Sequence, residues 1–177
     1  MQAAAPARDP AKAPAGSYVL DPRRGGLAVR ASYLGGLASG RVRFTGLSGS
    51  FAYDPATWQA TRVTIAVDPR SAAAPESAFV RRVVSALDPD RHPSIRFTST
   101  SLASDADGRG RLTGDLTLHG VTRPVTLDIV FRGLDTEQRL GFSGRGRIKR
   151  SEFGVTAARP FVGDVLDLTF EVEFVRK

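Results

Sequence analysis

Leu166-Asp167-Leu168-Thr169-Phe170-Glu171-Val172-Glu173-Phe174 is the most regular stretch of this 177-residue chain. Every second side chain is apolar and every one between is polar. Strict alternation of this kind predicts a strand of an antiparallel sheet, with one face buried and one wet. The same period runs outward from it. Val63, Ile65 and Val67 share a face, as do Leu112, Leu116 and Leu118, then Val125, Leu127, Ile129 and Phe131, and then Leu140, Phe142 and Ile148 with Gly144 and Gly146 among them. Turn signals separate these runs at Asp54-Pro55, Asp107-Gly108, His119-Gly120, Arg132-Gly133 and Val162-Gly163-Asp164. Successive one-faced strands on short connections predict an all-β barrel or sandwich, and the interior glycines predict a curved sheet.

Two segments lie outside the pattern. Pro75 to Leu87 (PESAFVRRVVSAL) places Phe79, Val80, Val83, Val84 and Leu87 at helical spacing. Pro75 and Glu76 suit a helix start, and Asp88-Pro89 ends it. A short amphipathic helix near one end of the barrel, stripe inward, is expected. Residues 1–16 (MQAAAPARDPAKAPAG) have no apolar period and are expected to be a disordered tail, leaving 17–177 as the folded domain. Removing residues 2–16 is then expected to leave stability unchanged. The tail has the composition of an exported terminus after signal-peptide removal, behind an added Met1, which points to a periplasmic or otherwise exported protein.

The chain has no Cys, which excludes disulfides, thiol nucleophiles and Cys-ligated metals. No window approaches 18 consecutive apolar residues, so no transmembrane helix is predicted. The net charge is +7; of the 25 basic residues only Lys12, Lys149 and Lys177 are Lys, and the other 22 are Arg. These arginines are scattered rather than striped and are not interleaved with stacking aromatics, which argues against nucleic-acid binding. Transient attraction to an anionic membrane surface fits such a charge.

Chemistry-bearing patterns are sparse. His92 and His119 each stand in a turn without a ligand-type partner at i+2 or i+4 on the same face, so both are read as surface residues and no metal site is expected. No serine occupies a G-x-S-x-G elbow, and no glycine-rich loop leads into Lys-Ser or a helix. Glu171 and Glu173 are read as solvation of a wet face. No enzyme and no cofactor are expected.

Four stretches resemble a known family. Gly114-Asp115-Leu116-Thr117-Leu118-His119-Gly120-Val121-Thr122-Arg123-Pro124-Val125-Thr126-Leu127 is similar to the G-x-L-T-[IL]-x-G-V-T-[KR]-P-V-x-L segment of the YceI-like, polyisoprenoid-binding family. Arg91 to Thr100 (RHPSIRFTST) resembles its Y-P-x-[IA]-x-F-x-S-T strand, Ile148 to Val155 (IKRSEFGV) its I-x-R-S-D-F-G-[IV] segment, and Tyr18-Val19-Leu20-Asp21 its first strand. The resemblance spans 17–177. It implies an eight-stranded antiparallel lipocalin-like barrel whose elongated apolar cavity takes a polyprenyl or similar long-chain lipid. The chain departs from the family where members carry D-P-x-H-S, here Asp21-Pro22-Arg23-Arg24-Gly25, and where a further His precedes the second strand, here Ala31-Ser32-Tyr33. A third departure replaces D-x-H-L-[RK] by Phe79-Val80-Arg81-Arg82.

The expected function is therefore carriage or storage of a long-chain isoprenoid, quinone or similar lipid, without catalysis. The inward sets supply the expected lining: Val29, Phe44, Phe51, Ile65, Val67, Phe97, Leu116, Leu118, Leu127, Ile129, Phe142, Leu168 and Phe170, with Phe153 and Phe161 at strand ends. Phe79 and Val83 of the helix are expected to face the ligand, and Arg81 and Arg82 to meet an anionic headgroup. A homodimer is compatible with such a barrel. The competing reading is a structural or protein-interaction barrel with a filled core and a basic surface for anionic partners; an interior cavity separates the two.

Overall fold

The computed structural model describes Asp9 and residues 12–105, 107–134, 139–157 and 162–177. In chain order the strands are β1 (Gly16–Leu20), β2 (Gly26–Tyr33), β3 (Ala38–Phe44), β4 (Leu47–Tyr53), β5 (Val63–Val67) and β6 (Ala72–Ala73). The helix α1 (Ser77–Leu87) follows, then β7 (Ile95–Ser104), β8 (Arg109–Leu118), β9 (Val121–Leu134), β10 (Arg139–Lys149) and β11 (Val162–Arg176). Every pairing is antiparallel. Eight strands close a ring in the order β1-β4-β5-β7-β8-β9-β10-β11 and back to β1. The expected barrel with one short helix is what the chain forms.

Closure depends on the length of β11. Its last residues pair with β1 (Leu20↔Phe174, Tyr18↔Arg176), while its earlier part pairs with β2 (Leu168↔Val29, Phe170↔Leu27). The β2–β3 hairpin and the short β6 thus extend the ring along β11's first half. The terminal alternation that reads so clearly in sequence belongs to the strand that seals the barrel.

The pairings define two ends. Gly16, Tyr53, Ser104, Arg109 and Arg176 lie at the entry end, where the chain comes into β1. Leu118, Val121 and Lys149 lie at the other. That end is covered by α1, whose Phe79, Val83 and Leu87 pack on the main core and whose Ala86 and Leu87 also meet a smaller cluster of Leu118, Val125, Ile148, Phe153 and Val155. Three Asp-Pro steps start 3-10 turns in the same way. The side chains of Asp21, Asp54 and Asp68 accept hydrogen bonds from the N–H two residues on, with Pro preset for the first turn position.

Gly144 shows why glycine stands on an apolar face. It pairs directly opposite Phe170. A Cβ at 144 would overlap the Phe170 ring and come within 2.9 Å of the Asp128 carbonyl oxygen. The glycine lets the ring lie across β10, a close approach rather than the bend that sequence alone suggests.

The tail expectation needs correction in its last part. Ala13 is 5% exposed and belongs to the main core, and the fully buried Tyr18 hydroxyl donates to the Pro14 carbonyl oxygen at 2.7 Å. Residues 1–8, 10 and 11 lie outside the described residues. Deleting residues 2–15 leaves the Tyr18 hydroxyl buried without its acceptor, which costs about 1–3 kcal/mol. For a chain of this size that lowers the thermal midpoint by several degrees, roughly 2–4 °C per kcal/mol. A thermal melt of the truncated protein checks it.

Candidate functional site

The barrel encloses a cavity of about 210 Å³. One water needs only about 10–15 Å³, so this is no packing defect. Its wall is drawn from strands all around the ring: Val63, Ile65 and Val67 of β5, Leu112 and Leu116 of β8, Val125, Leu127, Ile129 and Phe131 of β9, and Leu168, Phe170, Val172 and Phe174 of β11. At about 3.3 Å per residue, Val125 to Phe131 and Leu168 to Phe174 each give the wall a length of ~20 Å. The cavity is long and narrow.

Ten of the expected lining residues are in this wall: Phe51, Ile65, Val67, Phe97, Leu116, Leu127, Ile129, Phe142, Leu168 and Phe170. Several are only half-buried although they point inward, because they face the cavity instead of other side chains. Toward the entry end the wall is aromatic. Phe51, Phe142 and Phe174 meet edge to face, with centroids 4.8–6.4 Å apart, and Phe131 lies 5.2 Å from Phe142. The lining groups that carry polar side-chain atoms, Tyr53, Trp58, Thr61 and Ser104, come from β4, β7 and the segment between β4 and β5, and they gather at this same end. Burial, helped by the charges of Asp9, Tyr18 and Asp54, pushes the Tyr53 phenol up to about 12. It remains a neutral hydroxyl in the working range of pH.

Other expected lining residues stand elsewhere. Val29 and Phe44 pack in the main core outside the cavity, and Leu118 and Phe153 belong to the smaller cluster at the helix end. Phe79 and Val83 are corrected in the same sense. The Phe79 ring reaches toward Gly40 of β3, where a Cβ would lie 3.3 Å from it, so the stripe of α1 fastens the helix to the barrel and does not face the cavity. Arg81 and Arg82 are exposed on that helix, away from the polar lining groups. Phe161 lies outside the described residues. Sequence reasoning missed Trp58, Thr61, Leu102 and Ser104, which sit on turns and strand ends where alternation gives no signal. It also missed Ala13, placed in the supposed tail.

Two of the stretches that carried the resemblance serve as fastenings. Ser99 is 1% exposed, and its Oγ accepts the Val63 N–H at 2.8 Å where the β7–β8 register slips. Arg150 is 5% exposed and donates to the carbonyl oxygens of Val155, Ala157, Val162 and Gly163 at 2.6–3.1 Å. Beside it the Ser151 N–H and hydroxyl both donate to the Asp164 carboxylate, at 2.8 and 2.6 Å. The segment between β10 and β11 is thus tied at both ends.

The two histidines are not separate surface residues. Their rings stand 4.8 Å apart at the helix end, tilted by 57°, and both are half-buried beside Asp88. Asp88 precedes His92 by four residues, a pairing that a search for ligands on one strand or helix face overlooks because both lie in the connection between α1 and β7.

A closed antiparallel ring of eight strands around one elongated apolar cavity defines a lipocalin-type barrel. The chain belongs to the YceI-like domain family, whose model matches residues 18–174. A UPF0312 protein of Vibrio cholerae is 30% identical over 176 residues, covering 95% of this chain and 92% of its own. A UPF0312 protein of Vibrio vulnificus is 32% identical over 178 residues with the same coverage. Among solved structures, Burkholderia cenocepacia BcnA superposes with a TM-score of 0.78 at 20% identity, over 87% of this chain and 98% of its own. A polyisoprenoid binding domain from Saccharophagus degradans, implicated in plant cell wall breakdown, gives 0.72 at 17% identity, over 90% and 98%. At these identities the two structures speak for the fold.

Proposed function

We propose that the barrel binds one long-chain apolar lipid along its axis, as carrier or store, without catalysis. The observation that carries this reading is the lining: a narrow cavity walled by hydrocarbon and aromatic side chains, with polar atoms gathered at one end. Each Å² of apolar lipid surface withdrawn from water contributes about 25 cal/mol, offset by the freedom the chain loses. In this reading the lipid's headgroup lies at the entry end, beside the polar groups of Tyr53, Trp58, Thr61 and Ser104. Neither His92 nor His119 lines the cavity, so its lining hydroxyls have no imidazole base beside them. Membership of the family and the polyisoprenoid-binding neighbour support the same ligand class. Titration with a fluorescent polyprenyl analogue tests the reading. Saturable one-to-one binding is expected, weakened at least tenfold by Phe142→Ala; no saturable binding would overturn it.

The tip of the β2–β3 hairpin supports a transient contact with a lipid surface. Leu34 is 58% and Leu37 90% exposed, flanking Gly35 and Gly36 beside an exposed Tyr33. Two large exposed aliphatic side chains on one tight turn suit shallow insertion among headgroups, and the +7 charge favours anionic ones. Leu34→Asp with Leu37→Asp is expected to slow lipid transfer from anionic vesicles about tenfold, with the thermal midpoint unchanged. Stopped-flow transfer assays measure it. An exported, periplasmic setting belongs to the same proposal, and cell fractionation checks it.

A further inference from the structure

Asp88, His92 and His119 bring one carboxylate and two imidazoles to a single point at the helix end, with one ligand atom from each within 4.8 Å of the others. Three pieces of backbone converge there. Asp88 ends α1 in the left-handed conformation, φ 48°. The His92 N–H donates to the Asp88 carbonyl oxygen at 2.9 Å, which folds the connection back on itself. His119 (φ 54°) and Gly120 (φ 75°) form the two-residue turn between β8 and β9. Two successive positive φ values mark a type I′ hairpin. The His92 ring lies over Gly120, where a Cβ would come within 2.8 Å of His92 Cε1. Glycine at 120 is what admits the second imidazole next to the first.

From this juxtaposition we propose that Asp88, His92 and His119 bind one divalent transition-metal ion, zinc in the first instance, which ties the end of α1 to the β8–β9 turn. Two neutral imidazoles and one carboxylate are a donor set suited to zinc and its neighbours, and not to calcium or magnesium, which take oxygen ligands. Ligand atoms held at about 2.0–2.1 Å in a tetrahedral site stand ~3.4 Å from one another. The present spread of at most 4.8 Å is close to that spacing. One competitor faces the carboxylate. Arg91 Nε lies 3.7 Å from Asp88 Oδ2, but the Arg91 side chain is 83% exposed and its hold on Asp88 is screened by solvent. With three protein ligands the fourth position is open to water or to a small donor molecule.

The site differs from the lipid cavity in place and in chemistry. None of its three residues lines the cavity. Its mechanical consequence is nonetheless linked to the barrel, since Ala86 and Leu87, just before Asp88, pack on the cluster that closes this end.

The test uses the full-length protein, stripped with EDTA and dialysed, then titrated with Zn2+ by calorimetry and with Co2+ by visible absorption. Zinc binding at one ion per chain is expected, with a dissociation constant at or below the micromolar range. A rise in thermal midpoint is expected to accompany it, because the ion binds the folded state alone. Asp88→Asn and His119→Asn keep residue types that tolerate the left-handed backbone at both turns, so the fold stays intact while a ligand is lost. Each is expected to weaken zinc about 100-fold and to abolish the thermal shift. Asp90→Asn, a nearby exposed carboxylate paired with Arg70, is expected to leave both unchanged. Zinc affinity no better than about 1 mM in the unaltered protein, or tight binding that survives both substitutions, would overturn the proposal.

Discussion

Replacing Ile129 by Asp is expected to abolish lipid uptake, whereas replacing its neighbour Asp128 by Ala leaves uptake intact. Ile129 sits on the cavity face of β9, opposite Gly144 and Gly110, with hydrocarbon on every side. An ionised carboxylate there loses its water and finds no cation, a cost of several kcal/mol. A lipid that must cover that carboxylate loses at least 100-fold in affinity. Asp128 points the other way and makes an exposed pair with Arg111 at 3.7 Å, worth no more than about 1 kcal/mol. Where Ile129→Asp prevents folding, Ile129→Thr supplies the graded version, with about tenfold weaker binding and native circular dichroism. Equal damage from the Asp128 change would mean a strand register wrong by one residue, since one step exchanges every inward for every outward side chain.

Arg150 carries the largest expected effect on stability. Substitution by Met removes the donors for four carbonyl groups, those of Val155, Ala157, Val162 and Gly163. Hydrogen bonds to a charged group contribute about 1.5–3 kcal/mol each, and acceptors left buried cost more than bonds merely lost. Some of these carbonyls regain water as the segment loosens, which brings the expected loss to about 3–5 kcal/mol. At 2–4 °C per kcal/mol, the thermal midpoint falls by roughly 10 °C. Arg147, three residues earlier, is the control. Its pair with Asp167 at 2.8 Å is exposed, at 72% and 50%, so Arg147→Met changes stability by less than about 1 kcal/mol. Urea unfolding of the two variants side by side measures the contrast. Arg150→Lys is expected to behave like Met, because an ammonium does not reproduce the guanidinium's fork of donors.

Alternation made the barrel wall legible because each strand's own side chains decide which face is inward. Ile129, Leu168 and Phe170 could therefore be assigned to the interior from their neighbours alone. What alternation does not carry is where the inward face meets a cavity and where it meets another element. Val29 and Phe44 have the same pattern as Ile65, yet they face packed core, since β2 and β3 run beside β11 outside the closed ring. The helix stripe was legible for the same reason, and its facing partner was not: Phe79 meets Gly40, a residue 39 positions earlier in the chain. Turn residues carry no period at all. Trp58, Thr61 and Ser104 reach the cavity, and His92 meets His119, through tertiary convergence that no local spacing records. Ala13 was hidden differently, by a composition that resembles disorder although its methyl group fills a space in the core.

Native mass spectrometry of the protein purified from its own cells, followed by organic extraction, tests the lipid-carrier reading most directly. The account predicts a complex heavier than the chain by one ligand, and an extract containing a single class of long-chain lipid, isoprenoid or similar. It also predicts that both are reduced in Ile129→Thr while the fold persists. A protein that flies at its bare chain mass under conditions that preserve other lipid complexes, and that fails to take up a polyprenyl lipid added in excess, would contradict it.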